Sequence, residues 1–193
     1  MWEQLRPCQA KLIHAYGPTE TTVDATWQDL SQSWEFIDQV PIGRPVPTSK
    51  TLVLDPSGLP CPIGVPGELH IGGAGLARGY LNSPELTARA FIPDPFSADP
   101  DARLYKSGDL ASWNPDGTLA FHGRLDHQIK LRGFRIEPAE IEANLLAHPA
   151  IARAVVLLNR DDPANPRLIA YWIAQTAEIP QACLLYTSDA ADE

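Results

Sequence analysis

The sequence predicts an α+β fold rich in short strands, and three features carry that prediction. Nineteen prolines and thirteen glycines among 193 residues favour short strands and tight turns over long helices. Apolar, β-prone stretches recur between those residues, from TLVLD at 51–55 to RLIAYWIA at 167–174. Helical character is confined to two short segments, 82–91 and 138–147.

Residues 10–27 begin with the apolar pair Leu12 and Ile13 and then meet Gly17 and Pro18. Those two bar a regular strand or helix, so the polar side chains at 19–26 are expected on a loop. PIGRPVP followed by TLVLD, within 40–54, reads as a proline-guided approach to a strand. Asp55-Pro56-Ser57-Gly58 is a turn by composition, and VPGELHIGG is a second strand closed by glycines. In 82–91, Ser83 would cap a helix, Pro84 suits its first position and Glu85 complements the dipole. Segments 104–110, 111–113 and 119–122 read as strands, with Asn114-Pro115-Asp116-Gly117 as the hairpin turn before the last. A boundary is expected near Asp126. Beyond it, QIKLRGFRIE reads as a strand pair bent at Gly133. Pro138 then opens a helix whose Ile141, Leu145 and Leu146 share one face, and 150–158 and 167–174 suit a small sheet.

Composition narrows the function classes. Hydrophobic residues make up 44% and charged residues 20%, enough apolar matter for a core. A net charge of −9 would repel nucleic acid and anionic membranes. The longest apolar runs are far too short to span a bilayer, and the first residues start no signal segment, so a cytoplasmic protein is expected. Cys8, Cys61 and Cys183 show no metal-ligand spacing and read as reduced, incidental thiols.

Two islands hold most of the functional information. One is YGPTE at 16–20, followed by Thr21 and Thr22. The other, within 104–142, reads LYKSGDL and then GRLDHQIKLRGFRIEPAEIE. In this order they resemble the later core motifs of the adenylate-forming enzymes, above all the amino-acid adenylation domain of nonribosomal peptide synthetases, over roughly residues 10–160. The resemblance implies that 1–125 is the β-rich C-terminal part of the large AMP-binding lobe and that 126–182 is a truncated small α+β C-terminal lobe. The ending CLLYTSDAADE, 183–193, looks like read-through of a sequencing adaptor. The family's glycine-rich phosphate loop would lie before YGPTE, and its late lysine has no counterpart after Lys130. The chain is therefore expected to be an internal fragment of a larger enzyme, inactive by itself.

The expected activity is formation of an aminoacyl-adenylate from ATP with Mg²⁺, then transfer of the aminoacyl group to the phosphopantetheine thiol of a carrier domain. Tyr16, presented beside the Gly17-Pro18 turn, would stack on adenine; the bland reading is a core tyrosine. Thr19 offers a hydroxyl for phosphate and Glu20 a hard carboxylate for Mg²⁺, which commonly takes only one or two protein carboxylates. Asp109, following a strand and a glycine, would stand clear at a strand end and accept both ribose hydroxyls. Arg124 would donate toward ribose or phosphate, or else form a salt bridge at the domain edge. The resemblance makes Asp126 the hinge of the small lobe, Lys130 a residue of its active-site face and Gly133 the point where the carrier arm approaches. His14 stands where the family usually has asparagine, beside adenine. Ala15, Val23 and Asp24 match positions lining the amino-acid pocket, and Gly17 belongs to the nucleotide loop. GGAGLARGY at 72–80 lacks the phosphate-loop spacing, and the resemblance makes it a structural strand-turn.

Two other readings compete: an acyl- or aryl-CoA ligase of the same superfamily, and a non-catalytic nucleotide-binding module derived from such an enzyme.

Overall fold

The structure is a computed structural model describing residues 10–31, 40–126, 128–131, 134–162 and 165–175. The chain divides into two compact units, 1–126 and 127–193.

The first unit is built from two antiparallel sheets. Strand β1 (Ile13–Tyr16) pairs with β2 (Thr26–Asp29), and β3 (Arg44–Pro45) adds to β2. Between β1 and β2 the chain makes a 3-10 turn, Thr19–Thr21, where the sequence suggested an irregular loop. Pro18 supplies the extended residue before it, and Thr22 ends it in the left-handed region. The larger sheet contains β4 (Ser49–Leu54), β5 (Gly67–Gly73), β6 (Phe91–Pro93), β7 (Arg103–Trp113) and β8 (Leu119–Arg124). Its order is β4-β5-β7-β6, and β8 pairs with the far half of β7.

Alternation along these strands makes the core. Val53, Leu69, Ile71, Ala111 and Leu119 point inward and pack with Ala25 and Ile42 into one buried cluster. Ile42 N donates to Leu119 O at 2.8 Å, and Leu119 N to Gly43 O at 2.8 Å, so backbone bonds tie the segment before β3 to β8. The turn between β7 and β8 follows its composition: Gly117 has φ +81°, and Asp116 Oδ1 accepts from Thr118 N at 3.0 Å and Thr118 Oγ1 at 2.7 Å. Those bonds hold the Asp116 carboxyl below the usual carboxylate range, the Thr118 hydroxyl contributing most.

Helix α1 (Pro84–Ala90) starts where expected, with Ser83 at the N-cap and Pro84 at its first position. The Ser83 side chain makes no capping bond, however. Thr87 instead donates both its amide and its hydroxyl to Ser83 O, at 3.0 and 2.9 Å. Phe91 leaves the helix to join the sheet.

The second unit contains β9 (Ile129–Leu131) paired with β10 (Phe134–Ile136), helix α2 (Pro138–Leu146), and a hairpin of β11 (Ile151–Asn159) with β12 (Arg167–Ala174). Helix α2 packs on β11, and Glu142 Oε1 accepts from Val156 N at 2.8 Å. Leu146 departs from the expected apolar face. It is 47% exposed at the last position of the helix, while Ile141 and Leu145 are half-buried. Gly133 and the ending 183–193 lie outside the described residues. Among those described, no helix is long and apolar enough to cross a membrane.

Candidate functional site

YGPTE joins β1 to the 3-10 turn and is folded back on itself. Ala25 N donates to Tyr16 O at 2.9 Å, which brings the chain so close that a Cβ on Gly17 would lie 2.1 Å from Val23 O. Only glycine fits. Thr22 and Val23 follow with φ of +60° and +71°, and Asp24 N bonds Thr22 O at 2.9 Å, a γ-turn centred on a β-branched residue. Such geometry costs on the order of 1–3 kcal/mol and persists where neighbouring contacts over-determine it. The contacts are present. Thr21 N and Oγ1 each donate to Pro18 O at 3.0 Å, and Thr22 Oγ1 donates to Gly75 O at 2.6 Å.

Glu20 is 7% exposed. Its main-chain oxygen accepts from Ala77 N at 2.8 Å, and its Oε1 accepts from Tyr80 Oη at 2.6 Å. Burial first, then the Glu20 carboxylate and the Tyr105 phenol, push the Tyr80 hydroxyl well above the usual tyrosine range, so it remains a donor. Thr19, Ala15, Val23 and Asp24 are exposed.

Asp109 departs from the expected position. It lies within β7, 4% exposed, instead of standing clear at a strand end. Gly108, at φ +70°, turns the backbone without ending the strand, so β7 runs on past Asp109. Tyr16 Oη donates to Asp109 Oδ2, Arg124 Nη1 to Asp109 Oδ1 at 2.7 Å, and Asp109 N to Ser107 Oγ at 3.0 Å. Ser107, where the family usually has threonine, also donates that hydroxyl to Leu69 O at 2.6 Å. Arg124 is held from three sides. Beyond Asp109 it donates Nε to Asp126 Oδ1 at 2.6 Å and Nη2 to Asp126 Oδ2 at 2.5 Å, and Nη2 also reaches Ser107 O at 3.1 Å. The salt-bridge alternative for Arg124 is thus the contact it makes in this structure.

Tyr16 packs on the core and is tied to Asp109. Its ring is half-buried against the core and lies 6.3 Å from Phe121, centroid to centroid, while its hydroxyl reaches the Asp109 carboxylate. Burial, then the Asp109 charge and hydrogen bond, push its hydroxyl far above the ordinary tyrosine range. His14 is half-buried and donates Nδ1 to Pro41 O at 2.9 Å. Lys130 sits at the centre of β9, opposite Arg135 of β10.

Sequence reading missed Tyr80. It is the last residue of the glycine-rich run 72–80, which the sequence offers only as a phosphate loop or a strand-turn. The signal available was its phenol in ARGY, but nothing in the sequence ties it to a glutamate 60 residues earlier.

Among the described residues no three metal-ligating side chains cluster. At YGPTE a cation would meet a single buried carboxylate, that of Glu20. That suits Mg²⁺, which keeps waters and takes its remaining oxygens from nucleotide phosphates.

The Tyr16–Asp109–Arg124 chain of hydrogen bonds thus lies beside a strained, glycine-dependent loop on a strand-rich scaffold. The chain belongs to the AMP-binding enzyme family, which matches residues 1–81, and within it to the adenylation domains of nonribosomal peptide synthetases. It is 51% identical over 161 residues to bacitracin synthase 1 of Bacillus licheniformis, covering 83% of this chain and 3% of that protein. Among solved structures it resembles NpsA-ThdA, an artificially fused adenylation–PCP di-domain from Klebsiella oxytoca, with TM-score 0.71 and 34% identity over 87% of this chain and 34% of that one. It also resembles holo-PA1221, a nonribosomal peptide synthetase protein with adenylation and PCP domains bound to a vinylsulfonamide inhibitor. There the TM-score is 0.76, with 30% identity over 92% of this chain and 31% of that one. The chain thus spans a few hundredths of the curated relative and about a third of the solved ones.

Proposed function

We propose that this chain forms the nucleotide-facing part of an amino-acid adenylation domain that loads a carrier protein in the cytoplasm. The observation that carries the reading is the Tyr16–Asp109–Arg124 chain of hydrogen bonds, four residues of backbone from the buried Glu20. It gathers on one unit an aromatic ring for a base, a carboxylate for a ribose and a carboxylate for a cation.

In the reaction, a carboxylate oxygen of the amino acid attacks the α-phosphorus of ATP. The bond to the bridging oxygen breaks, and pyrophosphate leaves with that electron pair. Tyr16 positions adenine, and His14, Ala15 and Gly17 form the backbone beside it. Asp109, fixed by Arg124, accepts the ribose hydroxyls, and Thr19 donates to phosphate. Glu20 would hold Mg²⁺, which when bound neutralises charge developing on the phosphate oxygens. Ala15, Val23 and Asp24 face the amino-acid side chain. The thiol of a carrier-borne phosphopantetheine then attacks the aminoacyl carbonyl and AMP leaves. Asp126 serves as the pivot between these two steps, with Lys130 and Gly133 on the lobe that turns.

The test is nucleotide affinity in the complete adenylation domain. Asp109→Asn should weaken ATP binding about tenfold, the loss of one charge-assisted bond. ATP affinity unchanged in a folded Asp109→Asn variant would refute the ribose assignment.

A further inference from the structure

The segment 75–80 runs alongside YGPTE and holds Glu20 at both ends of that residue. Ala77 N donates to the Glu20 carbonyl at 2.8 Å, and Tyr80 Oη to its carboxylate at 2.6 Å. Gly75 O takes the Thr22 hydroxyl at 2.6 Å, and a Cβ on Gly75 would press on Thr21 O at 3.0 Å. The segment is itself anchored. Arg103 donates Nη1 to Arg78 O at 3.0 Å and Nη2 to Ala77 O at 3.1 Å, with its guanidinium 5.5 Å from the Phe91 ring centre. Tyr80 and Tyr105 pack on that same Phe91 ring, at 5.6 and 5.2 Å. Tyr80 Nα is also tied, to Thr87 Oγ1 at 2.8 Å. The phenol thus comes from a backbone fixed on three sides, and it reaches a carboxylate that is nearly sealed from water.

We propose that Tyr80 is a positioning residue for the cation site, its hydroxyl fixing the rotamer of Glu20 so that the carboxylate meets the metal–nucleotide complex already oriented. The inference rests on the reading of Glu20 as the cation ligand. A carboxylate free to rotate loses affinity through the entropy of its ordering, and a charge-assisted bond from a rigid donor removes that cost before the ligand arrives. The phenol suits this task because it donates one hydrogen bond and brings no competing charge.

The test is Mn²⁺ affinity, measured by electron paramagnetic resonance titration of the complete adenylation domain with ATP and no amino acid, so that no turnover is needed. Tyr80→Phe keeps the ring and removes the donor, and should raise the Mn²⁺ dissociation constant about tenfold, the scale of one hydrogen bond to a charged group. In pyrophosphate exchange the same variant should need more Mg²⁺ for half-maximal rate while regaining near-normal kcat at saturation, a split that general destabilisation does not give. Glu20→Gln calibrates the site. If Glu20→Gln weakens Mn²⁺ binding and folded Tyr80→Phe does not, the positioning role is wrong and the ligand assignment stands. If Glu20→Gln leaves Mn²⁺ binding intact, the ligand assignment fails and takes this inference with it. Should Tyr80→Phe not fold, Arg103→Gln decides by the same criterion, since it loosens the segment without touching the phenol.

Discussion

The phenol of Tyr16 donates to the carboxylate of Asp109 across a sequence separation of 93 residues. The bond joins β1 of the small sheet to β7 of the large one, so it fixes the site and braces the first unit together. Removing either partner leaves the other buried without its bond. Tyr16→Phe and Asp109→Asn should therefore each destabilise, and a double-mutant cycle by urea unfolding should give a coupling of about 1.5–3 kcal/mol. A coupling indistinguishable from zero would mean the contact does not hold the sheets.

The same bond sets a pH dependence. The folded Tyr16 keeps its proton well above the unfolded value of about 10, because burial and the Asp109 charge both oppose the phenolate. Its contribution is fully present below pH 10. Above that, unfolding releases a proton that folding must retain, so stability falls as pH rises. Melting temperature between pH 9 and 11 should drop less steeply in Tyr16→Phe than in the wild type. Parallel slopes would show that Tyr16 titrates normally.

Gly108 gives a test of the Arg124 clamp. It has φ +70°, and an added Cβ would lie 2.8 Å from both Arg124 Nη2 and Asp126 Oδ2. Gly58 has φ +79° with open space around it. Gly58→Ala should cost about 1–2 kcal/mol from backbone conformation alone. Gly108→Ala should cost more, since the ion pair must also move. Equal losses in chemical denaturation would show that the clamp is loose at that point.

Legibility in the sequence followed the range of the interactions. The turns at Asp55–Gly58 and Asn114–Gly117, the strand of GELHIGG and the start of α1 at Pro84 are set by residues within a few positions of one another, and all could be read. The strand-rich α+β fold could be read for the same reason. The mid-strand burial of Asp109 could not, because it depends on β7 continuing through Gly108 between β5 and β8. Nor could the bond from Tyr80 to Glu20, which exists only once the sheets have packed. The Ser83 cap was met only in part: its carbonyl accepts the amide and hydroxyl of Thr87, while its hydroxyl makes no capping bond.

Asp126 carries a second expectation, that of a pivot. Its carboxylate is fastened to Arg124 by two bonds, so Asp126→Ala tests the ion pair and Asp126→Pro additionally fixes φ. In the complete enzyme, the alanine variant should retain both half-reactions to a similar degree. The proline variant should retain adenylation while transfer to the carrier thiol falls steeply. A proline variant that lost both equally would make Asp126 part of the adenylation site and not a pivot.

The central claim is that YGPTE and Asp109 serve adenylate formation, and amino-acid-dependent ATP–pyrophosphate exchange reads it directly. In the complete adenylation domain, Glu20→Ala should lower exchange by about 10²–10³, the effect of removing one key electrostatic group, while the melting curve shows the domain still folded. Exchange at the wild-type rate in folded Glu20→Ala would contradict the account.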